Sequence, residues 1–182
     1  VLDIGSGTGR ALRYLKQHRP EIKITGIEPV KELRAVGHAR GLTEQELQDG
    51  DAYALQFETG QFDLVCEFCV LHHVRKPELV VAEMLRVANK VIFISDGNNF
   101  GQGSPLSRTF KQLLNFFGLW GLANFLKTQG KGYSVTEGDG VAYSYSVFNN
   151  YWQIRQQCKS VHLLNTVDGR INPYRSAGHV AL

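Results

Sequence analysis

Val1-Leu2-Asp3-Ile4-Gly5-Ser6-Gly7-Thr8-Gly9-Arg10 opens the chain, and its reading decides the fold. Val1, Leu2 and Ile4 read as a buried parallel strand with an acid, Asp3, near its end. Three glycines follow at every second position, and Ala11-Leu12-Arg13-Tyr14-Leu15 then begins a helical pattern. Strand, glycine turn and helix together make the geometry of an adenosine-type cofactor site. Without Cβ atoms the turn bends sharply and lets a ligand lie against its backbone, at the carboxyl end of a central strand.

The spacing separates two cofactor classes. A dinucleotide fingerprint, G-x-G-x-x-G, needs a glycine at position 10 or 12, and the chain has Arg10 and Leu12 there. An NAD-dependent oxidoreductase is therefore the weaker reading. D-x-G-x-G-x-G instead resembles the first motif of the class I S-adenosylmethionine-dependent methyltransferases. The resemblance implies that Asp3, Gly5, Gly7 and Gly9 face the aminoacyl and ribose parts of S-adenosylmethionine. A tight turn explains the glycines equally well, so the following segments decide.

Ile22 to Ile27 reads as a second strand ending on Glu28-Pro29. An acid roughly 20 residues past the glycines accepts hydrogen bonds from vicinal ribose hydroxyls; the plainer role for Glu28 is to cap the next helix, Val30 to Arg40. A third strand is expected near Glu46 to Asp49. Gly50-Asp51-Ala52 behind it resembles the family's third motif, whose acid reaches the adenine amino group while backbone amides hold the ring. Asp49 and Asp51 are equally good turn formers.

Gln61-Phe62-Asp63-Leu64-Val65-Cys66-Glu67-Phe68-Cys69-Val70-Leu71-His72-His73-Val74 is the second anchor. A buried strand, Phe62 to Cys66, runs into a turn with two histidines. It resembles the fourth-strand motif of the type 11 small-molecule methyltransferases, where F-D-L-V precedes an L-H-H turn. Glu67 joins the cofactor-binding set on this resemblance. His73 is the candidate general base, because histidine titrates near neutrality; His72 is the one expected to pack.

Later segments fill out an α/β, doubly wound, Rossmann-like sheet of seven mostly parallel strands with one reversed strand near the C-terminus. A helix is expected over Pro77 to Val87, a strand over Lys90 to Ser95, and a hairpin about Glu137-Gly138-Asp139-Gly140. A short helix is expected over Asn149 to Gln157, and two closing strands over Val161 to Thr166 and Gly178 to Leu182. Phe110 to Lys127 reads as a strongly apolar helical stretch, weakened or broken at Gly118 and Gly121, that is buried or serves as an oligomer or partner face. The aromatic segment around Tyr143 and Tyr145 falls where the family builds its substrate cover, though a second core explains it as well.

At 182 residues, 43% hydrophobic and 20% charged, the chain suits one substantial core, so residues 1–182 read as a single domain. The ends read as cut from a longer protein, lacking an N-terminal helix and the last residues of the final strand. A net charge of +3 without a dense basic run argues against nucleic acid. Cys66, Cys69 and Cys158 give no even disulfide framework, which predicts a reducing, cytoplasmic setting. No apolar run is long enough to span a membrane. Glu67, Asp96 and Asn98 imitate a catechol-type magnesium site, but Gly97 splits the pair and no metal is expected. The function that follows is methyl transfer to oxygen, nitrogen or carbon of a small-molecule acceptor. The alternative is an inactive cofactor-binding scaffold or regulatory domain.

Overall fold

Three strands of the first half end at turns rich in glycine and acid: Gly5-Ser6-Gly7, Glu28-Pro29 and Asp49-Gly50-Asp51. The computed structural model describes residues 1–138, 140–166 and 172–182. The chain divides into two compact units, Val1–Val70 with Glu78–Ile94, and Leu71–Pro77 with Ser95–Leu182.

The first unit runs β1 (Leu2–Ile4), α1 (Arg10–His18), β2 (Thr25–Ile27), α2 (Lys31–Ala39), β3 (Leu47–Gln48), β4 (Phe62–Phe68), α3 (Pro77–Val87) and β5 (Ala88–Gly97). Its strands lie in the order β3-β2-β1-β4-β5. Central β1 pairs in parallel with β2 (Leu2 opposite Thr25) and with β4 (Leu2 opposite Val65). All three residues of β1 are buried, as expected for a strand covered on both faces.

α1 stops at its C-cap Arg19, just before Pro20, which disfavours helix in the residue ahead of it. α3 begins on a proline, whose missing N–H costs nothing in a first turn. It buries Val80, Val81, Met84 and Val87, each contributing roughly 1.5–3 kcal/mol relative to exposure. The second strand is shorter than Ile22 to Ile27, because only Thr25–Ile27 find a register opposite β1.

The second unit starts with a 3-10 turn, Leu71–His73, and resumes at the end of β5. It continues through α4 (Pro105–Phe116), α5 (Trp120–Lys127), β6 (Tyr133–Thr136), β7 (Gly140–Tyr143), α6 (Tyr151–Gln157), β8 (Leu164–Asn165), α7 (Pro173–Ser176) and β9 (His179–Ala181). β9 runs antiparallel to β5 (Asp96 opposite Val180), and β8 antiparallel to β9. With β5 common to both units, the strands number seven in the order β3-β2-β1-β4-β5-β9-β8, with β9 the reversed one. The expected α/β class and strand count therefore hold.

The apolar helical stretch expected over 110–127 breaks into two helices, the break falling at Gly118, one of the two glycines singled out in the sequence. Gly118 takes a left-handed φ of 70°, which a glycine tolerates at no steric cost, and the chain restarts at Trp120. β6 and β7 form the expected hairpin, Tyr133 opposite Tyr143; Asp139 in its turn lies outside the described residues.

Asn98, fully buried at the end of β5, organises this unit. Its Nδ2 donates to the carbonyls of Pro173, Tyr174 and Ala177 at 2.9–3.0 Å. Its Oδ1 accepts from Phe100 N–H and Ser146 Oγ.

Candidate cofactor site

β1 hands over to three left-handed glycines, Gly5, Gly7 and Gly9, with φ of 65°, 55° and 68°. A Cβ on Gly9 would stand 2.1 Å from Leu42 Cδ1, so a side chain there strains the left-handed dihedral and forces that buried leucine to shift. Around Gly7 nothing lies within 4 Å of such a Cβ. The middle of the loop is thus bare backbone facing open space, the kind of surface a ligand can approach closely.

Glu28 follows the last residue of β2 and is buried. One oxygen, Oε2, accepts from Gly7 N–H at 2.9 Å; the other, Oε1, accepts from Val30 N–H at 3.0 Å. A carboxylate offers about four acceptor positions, so these two bonds fix its orientation and leave acceptor capacity for a pair of hydroxyls. Glu28 therefore fixes the residue from which α2 starts, its N-cap Val30, without capping the first-turn amides of the helix.

Asp3 is buried inside β1, and burial pushes its carboxyl up to about 6 from the ordinary 3.8. Hydrogen bonds from Ser6 and Cys66 pull the other way, and the charge of Glu28 adds a smaller upward push. The Cys66 thiol lies 3.4 Å from the Leu2 carbonyl and 3.8 Å from Asp3 Oδ1. Burial, and then the charge of Asp3, push that thiol far above its usual range, which makes it an inert core group. Cys69 is exposed and the three cysteines are unbridged.

Glu67 is fully buried near the end of β4 and accepts from Val70 N–H at 2.9 Å. In register, Glu67 stands opposite Ile4, beside the glycine turn. Asp51 sits beyond β3 and is exposed; its Oδ1 accepts from Tyr53 N–H at 2.9 Å, a turn-forming bond, and Ala52 is half-buried beside it. The carboxyl edge of parallel strands β1 to β4 therefore carries Gly5–Gly9, Glu28, Asp51, Ala52 and Glu67 on one rim. A groove of about 700 Å³ elsewhere in this unit is lined by Leu55, Phe57 and Arg86. Its guanidinium already serves Glu83 and the carbonyls of Leu55 and Phe57.

The second unit holds the adjacent pair His72 and His73. His72 donates from Nδ1 to Oδ1 of buried Asp96 at 2.7 Å, and its backbone N–H reaches Oδ2 at 3.3 Å. His73 Nδ1 lies 2.7 Å from the Val141 carbonyl. A carbonyl can only accept, so Nδ1 carries the proton and Nε2 the lone pair in the neutral ring. The two rings are 4.0 Å apart.

Sequence reading missed the link of His72 to Asp96. The available signal was the acid closing the fifth strand, weighed there only as a metal ligand. Tyr143 is half-buried in β7, its ring 6.0 Å from Tyr133. Tyr145 is buried, and its hydroxyl donates to Asn150 at 2.9 Å.

Residues 2–91 match a family model described as a methyltransferase domain. Over 92 residues the chain is 37% identical to norajmaline N-methyltransferase of Rauvolfia serpentina, covering 48% of this chain and 32% of that protein. Over 124 residues it is 36% identical to phosphatidylethanolamine N-methyltransferase of Cereibacter sphaeroides, covering 64% of this chain and 59% of that protein. The chain thus spans between about a third and three-fifths of the length of these curated relatives. A crystal structure of an S-adenosylmethionine-dependent methyltransferase from Mesorhizobium loti aligns over 99% of this chain and 87% of its own. The TM-score is 0.65 at 12% identity, a likeness of fold.

Proposed function

Residues 2–91 match the methyltransferase-domain family, and from that likeness we propose S-adenosylmethionine-dependent methyl transfer to oxygen, nitrogen or carbon of a small-molecule acceptor. The observation that carries this reading is the Glu28 carboxylate, buried and oriented by Gly7 and Val30, beside the bare backbone of Gly7. That pairing suits a ribose held by its two hydroxyls against a side-chain-free loop.

In the proposal Glu28 accepts from the ribose hydroxyls, and Gly5, Gly7 and Gly9 admit the chain next to it. Asp3 and Glu67 supply buried negative charge for a cationic ligand, and Asp51 and Ala52 hold the adenine. S-adenosylmethionine, when bound, supplies an already activated methyl group, so the protein's task is alignment and exclusion of water. His73 accepts a proton at Nε2 from an acidic acceptor, with His72 and Asp96 supporting the positive charge. Tyr143 and Tyr145 belong to the acceptor-binding region. The names of the two relatives, both N-methyltransferases, favour nitrogen as the acceptor atom.

Calorimetric titration of the full protein tests the cofactor half. S-adenosylmethionine is expected to bind and nicotinamide dinucleotides are not; the reverse preference overturns the reading. Incubation with labelled cofactor and a metabolite extract separates an enzyme, which yields a labelled small molecule, from an inactive cofactor-binding scaffold, which yields none.

A further inference from the structure

Helix α4 is built inside out. Leu106, Phe110, Leu113 and Phe117 recur at helical spacing, which sequence logic assigns to a core-facing stripe. Yet these four side chains are between 51% and 82% exposed, and none of the twelve residues of α4 is buried. The polar face points inward instead. Arg108 donates to the Ser176 carbonyl, Lys111 to the carbonyls of Asn99 and Gln102, and Gln112 to those of Phe100 and Arg175; Asn115 meets the Tyr174 hydroxyl.

α5 repeats the pattern: Trp120 donates inward to Ser144 Oγ at 2.9 Å, while Leu122, Phe125 and Leu126 lie exposed. From residue 97 to residue 136 the sequence holds no Asp or Glu, and its cations are Arg108, Lys111, Lys127 and Lys131.

We propose that the α4–α5 pair is a docking surface for an anionic lipid bilayer, laid flat in the headgroup region. Charge decides among occupants. Arg108 and Lys111 are turned inward, so Lys127 and Lys131 are the exposed cations. A second copy of the same face would set these against each other with no acid from 97 to 136 to pair them, whereas an anionic leaflet complements them. Phenylalanine, leucine and lysine on one short amphipathic element are the composition of an interfacial helix. The length agrees: the twelve residues of α4 extend about 18 Å at 1.5 Å each, too short to cross a hydrocarbon core of roughly 30 Å. Among the described residues no helix is long and apolar enough to span a membrane. Lys111 registers the same positive field, its ammonium held below the ordinary value by burial first and then by Lys127 and Arg108. The inference stands whether or not the protein transfers methyl groups.

Vesicle co-sedimentation of the full protein tests it, using phosphatidylcholine alone and phosphatidylcholine with phosphatidylglycerol in equal parts. Binding to the anionic vesicles is expected to be roughly tenfold tighter or more, and to weaken with salt. Phe110→Ser with Phe117→Ser is expected to abolish pelleting on both. Lys127→Glu with Lys131→Glu is expected to remove the preference for anionic vesicles. All four sites are exposed, so melting temperature and cofactor titration serve as controls for folding. Wild-type protein that ignores both vesicles, or an aromatic double variant that pellets as well as wild type, overturns the proposal. So does a dimer in sedimentation equilibrium that the aromatic double variant dissociates, in the absence of vesicle binding, since the face then belongs to a second copy.

Discussion

Asp3→Asn is the substitution whose consequence follows most directly from the structure. The native carboxyl titrates at about 6 because it is buried, against an ordinary 3.8 in the unfolded chain. Below 3.8 both states are protonated and the side chain costs nothing. As pH rises from there to about 6, the unfolded state releases its proton and the native state retains it, so native stability falls. Beyond about 6 the loss is complete. At 1.36 kcal/mol per pH unit the gap corresponds to roughly 3 kcal/mol. Asp3→Asn removes the titration while keeping shape. It is therefore expected to match wild type near pH 4 and exceed it by about 2–3 kcal/mol near pH 7. Urea unfolding followed by circular dichroism across that range reads the difference. Parallel stability curves for the two proteins would refute burial as the force acting on Asp3. Under the proposed function the same carboxyl would make cofactor binding proton-linked: a cationic ligand favours the ionised form, so wild-type affinity is expected to rise with pH and level off near 6, while Asp3→Asn stays flat.

Glu28→Ala deprives two backbone N–H groups of their acceptor, so it is expected to destabilise the apo protein by about 1–3 kcal/mol and to weaken S-adenosylmethionine by a similar amount. Urea unfolding and calorimetry measure the two losses separately, and an unchanged affinity beside reduced stability would leave Glu28 a purely structural residue. Gly9→Ala is expected to cost more stability than Gly7→Ala by about 1–3 kcal/mol, since its Cβ meets Leu42 and that of Gly7 meets nothing. Gly7→Ala is expected to lose cofactor affinity instead, and thermal melts beside titrations distinguish the pair. Tyr145→Phe removes the bond to buried Asn150 and is expected to cost about 1–2 kcal/mol. Tyr143→Ala is expected to lower turnover at nearly constant cofactor affinity, and steady-state kinetics decide it.

The geometry at the carboxyl edge of the first unit's strands was legible because each of its parts is a local signal. Alternating glycines demand left-handed backbone, Pro77 starts a helix, and an acid directly follows the second strand. Local pattern also fixed the limits of α3 without error. What stayed illegible depends on contacts between distant positions. Nothing near Gly5 announces that Val70 closes over it, at 2.5 Å from where a Cβ would stand. The pairing of His72 with Asp96 spans 24 residues. The apolar composition of 110–127 left open burial or a partner face, because composition does not say which side of a helix meets the protein. The polar partners at Ser176, Tyr174 and Phe100 settled that.

Asn98 restricts how this protein can drift in sequence. One end of its side chain must donate to a fan of three carbonyls, and the other must accept from an amide and a hydroxyl. Aspartate has the right shape and the wrong polarity, turning three attractions into three repulsions. Glutamine has the right polarity and one methylene too many for a site with no exposed surface. Leucine fills the volume and leaves every partner unanswered. Of these four side chains only asparagine answers every partner, and it grips residues 173, 174 and 177 through their carbonyls, independently of the side chains those residues carry.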